Sequence, residues 1–115
     1  MHEMSLAGGI LSLVEDAARR EHFVRVQRLT LEAGALSGVE PRALRFALDA
    51  IRPGTCLQDA EIVIDEPPAQ AWCLPCGTSV AIRARTDACP LCGSHQLQPT
   101  GGTELTVRDL VVHDH

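Results

Sequence analysis

The chain has 115 residues, 45% of them apolar and 22% charged, the proportions of one globular domain or of one domain carrying a small appendage. Its net charge is −5 and no run of basic residues occurs, which argues against nucleic acid or an anionic membrane surface as a partner. Aromatic residues make up only 3%, so the core must rest on Leu, Val, Ile and Ala, and a second stabilising device is expected.

All ten basic residues are arginine, unevenly placed. Residues 1–68 carry a charge of −4, residues 69–101 carry +1, and the tail from 102 carries −2. The N-terminus does not read as a signal peptide, because Glu3, Glu15 and Asp16 interrupt any apolar stretch and no basic segment precedes it. No stretch approaches the roughly 18 apolar residues needed to span a membrane. A cytoplasmic chain is expected, and in that compartment paired cysteines read as metal ligands rather than disulfides.

In chain order, residues 4–20 place Leu6, Ile10, Leu13, Val14 and Ala17 at helical spacing, with Glu15, Asp16, Arg19 and Arg20 opposite. Gly8-Gly9 weakens the early turns by about 1 kcal/mol per glycine relative to alanine. Residues 24–33, VRVQRLTLEA, switch to a strand pattern. Leu29, Leu31 and Ala33 alternate with Arg28, Thr30 and Glu32, while Val24 and Val26 fall out of phase, which suggests a bulge or a strand start buried on both sides. Residues 34–38 read as a loop.

Pro41 opens a second helix, where Leu44, Ala47, Leu48 and Ile51 form an apolar stripe that Pro53-Gly54 ends. AEIVIDE at 60–66 is a second strand, stopped by Pro67-Pro68. TELTVRDLVV, from Thr103, is a third. The expected fold is α+β: a small three-stranded sheet with two helices on one face, plus an inserted four-cysteine, zinc-ribbon-like module. The expected domains are 1–68 with 102–115, and 69–101.

Residues 73–92 read CLPCGTSVAIRARTDACPLC, a C-x2-C-x12-C-x2-C pattern. Each C-x2-C sets two thiolates on a tight turn, and two such turns can face one another as a tetrahedron. Cys73, Cys76, Cys89 and Cys92 are therefore candidate Zn(II) ligands. Four thiolates close the coordination sphere, so the ion would be structural rather than catalytic. Redox chemistry, a pair of disulfides or a rubredoxin-like iron are the alternatives. A thioredoxin-like site needs only one C-x2-C opening a helix, and the packed aromatics of a rubredoxin are missing. Cys56 reads as a semi-buried filler.

The chain opens Met1-His2-Glu3. A free amine, the backbone nitrogens of residues 2 and 3 and the His2 imidazole can close fused chelate rings in one square plane, an arrangement diagnostic of Ni(II) or Cu(II). Neither residue 2 nor residue 3 is proline, so both amides are available. On its own, however, a terminal histidine is ordinarily a solvated residue.

More of the chain bears on this choice. MHE at the start, GALSGVEPRALRFALDA at 34–50, GT at 54–55, the double C-x2-C, CGS at 92–94 and GTEL at 102–105 occur in this order. Together they resemble the HypA/HybF family of hydrogenase nickel incorporation proteins, over essentially the whole chain. The resemblance implies a metallochaperone that supplies Ni(II), as transient cargo, during maturation of nickel–iron hydrogenase. It implies a HypB-like GTPase and the hydrogenase large subunit as partners, and in some members the role extends to urease. It places the nickel ligands at the Met1 amine and His2, with Glu3 completing the motif, and the structural zinc on Cys73, Cys76, Cys89 and Cys92.

In family members an acidic residue near the start of the second helix is tied to nickel. Glu40 holds that place here, where an acid also suits the helix dipole. The tail His113-Asp114-His115 departs from the pattern and could grip a metal weakly, though such ends are more often solvated. A monomer or weak homodimer is expected. No nucleophile–base pairing, phosphate loop or open metal site suggests an enzyme. The rival reading is a zinc-ribbon protein-interaction module without nickel transfer, which leaves MHE idle.

Overall fold

The computed structural model describes residues 2–113. The elements run α1 (His2–Glu21), β1 (Arg25–Ala33), α2 (Pro41–Ile51), β2 (Glu61–Asp65), β3 (Ala69–Cys73), β4 (Thr78–Ile82), β5 (Leu97–Pro99) and β6 (Leu105–His113). They build the α+β fold expected, with two three-stranded sheets, ordered β2-β1-β6 and β4-β3-β5.

The first unit runs through Leu31 and resumes at Val39–Ile64 and from Val107 onward. Ala7, Ile10 and Val14 of α1 are buried, as are Leu44, Ala47 and Leu48 of α2. From the sheet, Val26, Leu29, Leu31 and Ile62 are buried. Ile10, Val14, Leu44, Ala47 and Leu48 lie on the predicted stripes, whereas Leu13, placed on the α1 stripe by its spacing, is 53% exposed and Ala7 is buried in addition. Burial of these residues with the inward residues of β1 and β2 is what assembles this unit. α1 begins two residues earlier than the apolar spacing predicts. The two glycines cost propensity, but packing of Ala7, Ile10 and Val14 outweighs it.

The irregularity forecast in β1 is present. The Val24 N–H donates to the His113 carbonyl and the Gly34 N–H donates to the Glu104 carbonyl. Between those two bonds the β1 side takes one more residue than the β6 side. That extra residue accounts for the exposure of both Gln27 and Arg28 between buried Val26 and buried Leu29.

The second unit comprises Glu32–Gly38 and Asp65–Thr106. Its sheet is antiparallel, with Trp72 opposite Ser79 on one side and Gln98 on the other. Ala69, Ala71, Cys73, Val80, Ile82 and Cys89 form a small core against which Ala35, Leu36 and Leu97 pack.

Residues 34–36 act as a backbone clamp in this unit. Ala35 N–H donates to Pro67 O at 3.0 Å, Gly34 N–H to Glu104 O at 3.1 Å and Leu36 N–H to Gly102 O at 2.8 Å. Both crossings of the chain into the module are thus hydrogen-bonded to one short segment. The approach is close: a Cβ on Gly102, whose φ is +79°, would lie 2.5 Å from the Ala69 Cα.

Candidate metal centres

Of the four module cysteines, two come from each end of a hairpin-like path. Cys73 ends β3 and Cys76 lies in the turn that follows; Cys89 and Cys92 sit on a second turn ahead of β5. The two turns are built alike. Gly77 N–H donates to Cys73 O at 2.8 Å and Gly93 N–H to Cys89 O at 2.8 Å, with φ of 62° and 79° at the two glycines. In each turn a left-handed glycine four residues after the first cysteine folds the second thiol back beside it.

All four sulfurs lie within 4.8 Å of one another. Cys73 Sγ is 3.6 Å from Cys92 Sγ, and Cys76 Sγ is 4.0 Å from Cys89 Sγ. Four sulfurs about 2.3 Å from a shared tetrahedral ion stand about 3.8 Å apart, so the observed spacings bracket that value. The set therefore fits one tetrahedral metal ion. Cys73 and Cys89 are buried, and Cys76 and Cys92 face outward.

The thiols are electrostatically unequal. Hydrogen bonding among neighbouring thiols, first with Cys92 and Cys73, pushes Cys76 up to about 12. Burial opposes ionisation of Cys89, but N–H groups of Cys92 and Leu91 and the adjacent thiols outweigh it and bring Cys89 down to about 7. Cys89 is thus the thiol readiest to ionise, and Leu91 N–H donates to its sulfur at 3.4 Å. Cys56 stands outside this set. It is half-buried, burial pushes its thiol up, and its carbonyl accepts from Val26 N–H at 2.9 Å.

At the N-terminus, His2 is the first residue of α1 and its side chain is 61% exposed, whereas Glu3 is 17% exposed. His2 Nδ1 lies 3.8 Å from Glu3 Oε2. The same Glu3 oxygen accepts the backbone N–H of Glu40 at 3.1 Å, so the start of α1 is tied to the start of α2. That bond is the main reason the Glu3 carboxyl is held below its ordinary value. The Glu40 side chain is itself engaged: its Oε2 accepts Ala43 N–H at 2.7 Å and caps α2. Glu3 and Glu40 therefore meet through the Glu40 backbone, a link that separation in sequence conceals. Met1 lies outside the described residues, as do Asp114 and His115; His113 is the last residue of β6.

A family model described as "Hydrogenase/urease nickel incorporation, metallochaperone, hypA" matches residues 1–112. The chain belongs to the HypA family. The hydrogenase maturation factor HypA of Cupriavidus necator is 64% identical over 115 residues, covering 100% of this chain and 97% of that protein. HypA of Polaromonas naphthalenivorans is 63% identical over 114 residues, covering 99% of each. The solution structure of the Ni metallochaperone HypA from Helicobacter pylori has the same fold, with a TM-score of 0.67 at 20% identity over 96% of each chain. A second HypA solution structure gives 0.72 at 21% identity, covering 100% of this chain and 98% of the other. HypA proteins are metallochaperones of nickel incorporation in hydrogenase maturation, and the four-cysteine cluster is the metal site that the described residues assemble. No helix among the described residues is long and apolar enough to cross a membrane.

Proposed function

We propose that this chain is a nickel metallochaperone, not an enzyme, which binds Ni(II) at its N-terminus and delivers it during maturation of nickel–iron hydrogenase. The ligands are the Met1 amine, the His2 imidazole and the backbone nitrogens of His2 and Glu3. The observation that carries this reading is the position of His2 at the first turn of α1. The first four N–H groups of a helix have no intrahelical partner, so those of His2 and Glu3 can be surrendered to a metal without breaking the helix ladder.

Each neighbour has a part in the site. Glu3, anchored on the Glu40 N–H, fixes where the terminus emerges, and its carboxylate lies beside the His2 ring. The exposed imidazole leaves one side open to an incoming donor, so cargo can leave by ligand exchange. Glu40 supports the site through its backbone N–H, and its side chain, which caps α2, is a further candidate ligand. By the Irving–Williams order the same donors hold Cu(II) more tightly, so supply and docking to a HypB-like GTPase and the hydrogenase large subunit decide that the cargo is nickel.

The four-thiolate site is assigned to Zn(II), which when bound orders a module with little core of its own. On this reading residues 1–68 and 102–115 are the nickel-binding domain, residues 69–101 the zinc-binding domain, and the protein works in the cytoplasm.

Nickel titration of the untagged chain beside one carrying extra residues before Met1 tests the assignment. The extension should abolish nickel uptake at the terminus while zinc content stays near one per chain. Normal uptake by the extended chain would sink the ligand set. Acid should release nickel, since imidazole, amine and amide bind only when deprotonated.

A further inference from the structure

The chain holds two phenylalanines, and the fold places them differently. Phe23 is buried, whereas Phe46 is 74% exposed on α2, off the buried stripe of Leu44, Ala47 and Leu48. A single exposed apolar residue is ordinary, but this one does not stand alone. Phe46 shares a cleft of about 180 Å³ with Glu3 and Met4 of α1 and with Ala43 and Ala47 of its own helix. Met4 is exposed as well, so the two largest apolar side chains of the cleft both face solvent.

The rim carries hydrogen-bond donors without acceptors. Arg42 lies one helical turn before Phe46 and Arg45 directly precedes it, and both are exposed. Neither has an ion-pair partner among the described residues, unlike Arg52 of the same segment, which is engaged with Asp49. Two carboxylates are close, but both are satisfied by backbone: Glu3 accepts the Glu40 N–H, and Glu40 accepts the Ala43 N–H. The free polar groups beside the cleft are therefore guanidinium donors. Aromatic residues, Met and Arg are also the types that concentrate in protein interfaces.

We propose that this patch is the docking surface for the protein that receives the nickel, which presents an acidic face and seats one apolar side chain in the cleft. The inference rests on the nickel reading above, because Glu3 both lines the cleft and lies beside the His2 ring. A partner held at Phe46 is held beside the exposed imidazole, and its own metal donors gain effective concentration there. Its carboxylates meet Arg42 and Arg45 in paired hydrogen bonds, the geometry that a guanidinium fits. A second copy is a poorer occupant, because in a two-fold contact the patch meets itself and sets these arginines against their own copies. A membrane is poorer too: two arginines fall short of the roughly four to eight clustered basic residues that hold a chain on anionic lipid.

The test uses the full-length untagged chain with its cysteine module loaded, and two receivers in turn, a purified HypB-like GTPase and the hydrogenase large subunit. Phe46→Ala should weaken binding to at least one of them by at least about tenfold. Arg42→Glu together with Arg45→Glu should weaken the same complex and flatten the salt dependence of its association rate. Phe46 is exposed and an acid in the first turn of α2 suits the helix dipole, so the melting temperature of the variants should hold. Nickel uptake by each variant alone should equal that of the wild type, since none of the three residues supplies a ligand.

If neither receiver binds the wild-type chain, or both bind the variants as tightly, the patch is not the docking surface. A wild-type dimer that Phe46→Ala dissolves in sedimentation would assign the surface to a second copy and overturn the proposal. Binding to phosphatidylserine vesicles that Phe46→Ala abolishes would assign it to a membrane, with the same result. A chain that docks through Phe46 yet takes up no nickel at its terminus would sink the terminal site and leave the docking surface standing.

Discussion

The cysteine cluster and the proposed nickel site at the N-terminus hold their donors in opposite ways. Cys73 and Cys89 are buried, and all four sulfurs are already within 4.8 Å of one another, fixed by two matched turns. The donor set there is assembled before an ion arrives. His2 is 61% exposed, it opens a helix, and its Nδ1 lies 3.8 Å from the Glu3 carboxylate. A set of pre-positioned donors, half of them buried, suits retention, and one built from exposed donors suits release. The contrast between the two regions is one of preorganisation rather than of ligand strength.

The largest expected effect lies on the retaining side. Cys73→Ser should remove the bound ion and, with it, on the order of 10 kcal/mol of ordering in a module whose core is six small or medium side chains. Metal analysis together with amide dispersion checks this, and a well-dispersed, metal-free variant would break the contrast. On the releasing side, His2→Ala should weaken nickel binding at least 100-fold, about 3 kcal/mol. Folding stability by urea titration should move by no more than about 0.5 kcal/mol, because the side chain is exposed. A large loss of stability would show that His2 is structural.

Gly102→Ala sharpens the comparison at intermediate size. The new Cβ would meet the Ala69 backbone at 2.5 Å in a left-handed conformation, so a loss of about 2–3 kcal/mol is expected in chemical denaturation. Gly38→Ala, also left-handed but with open space around the new Cβ, should lose only about 1 kcal/mol.

The smallest effect concerns Glu3. The Glu40 N–H holds its carboxyl below the ordinary value of 4.5, so the bond's stabilisation is present above 4.5 and lost as pH falls through the lower folded value. Melting temperature followed from pH 6 to pH 3 should fall less steeply at the acid end in Glu3→Gln than in the wild type. Parallel curves would show that the Glu3–Glu40 link contributes nothing in solution.

What could be read from the sequence was whatever repeats locally. The stripe Leu44, Ala47, Leu48 and the alternation Leu29, Leu31, Ala33 each state a period, and each lies on the predicted element. The slip at Val24 and Val26 announced the extra residue in β1, and the paired C-x2-C announced four converging sulfurs. Three features were illegible because they join distant residues through the backbone, which carries no side-chain signature. These are the Glu3–Glu40 bond, the clamp at 34–36 that reads locally as a plain loop, and the second sheet. Strands β3 and β4 alternate over only five residues, and β5 has three, too few to stand out beside the cysteines.

The clamp also dictates an order of events during synthesis. Residues 34–36 leave the ribosome well before Pro67 and long before Gly102 and Glu104, yet all three are their hydrogen-bond partners. The thiol turns, Cys73 to Cys92, emerge between those two moments. The second side of the clamp therefore cannot close until residues beyond all four cysteines have been made, so the clamp spans the whole module in sequence and its completion waits on the last part of the module.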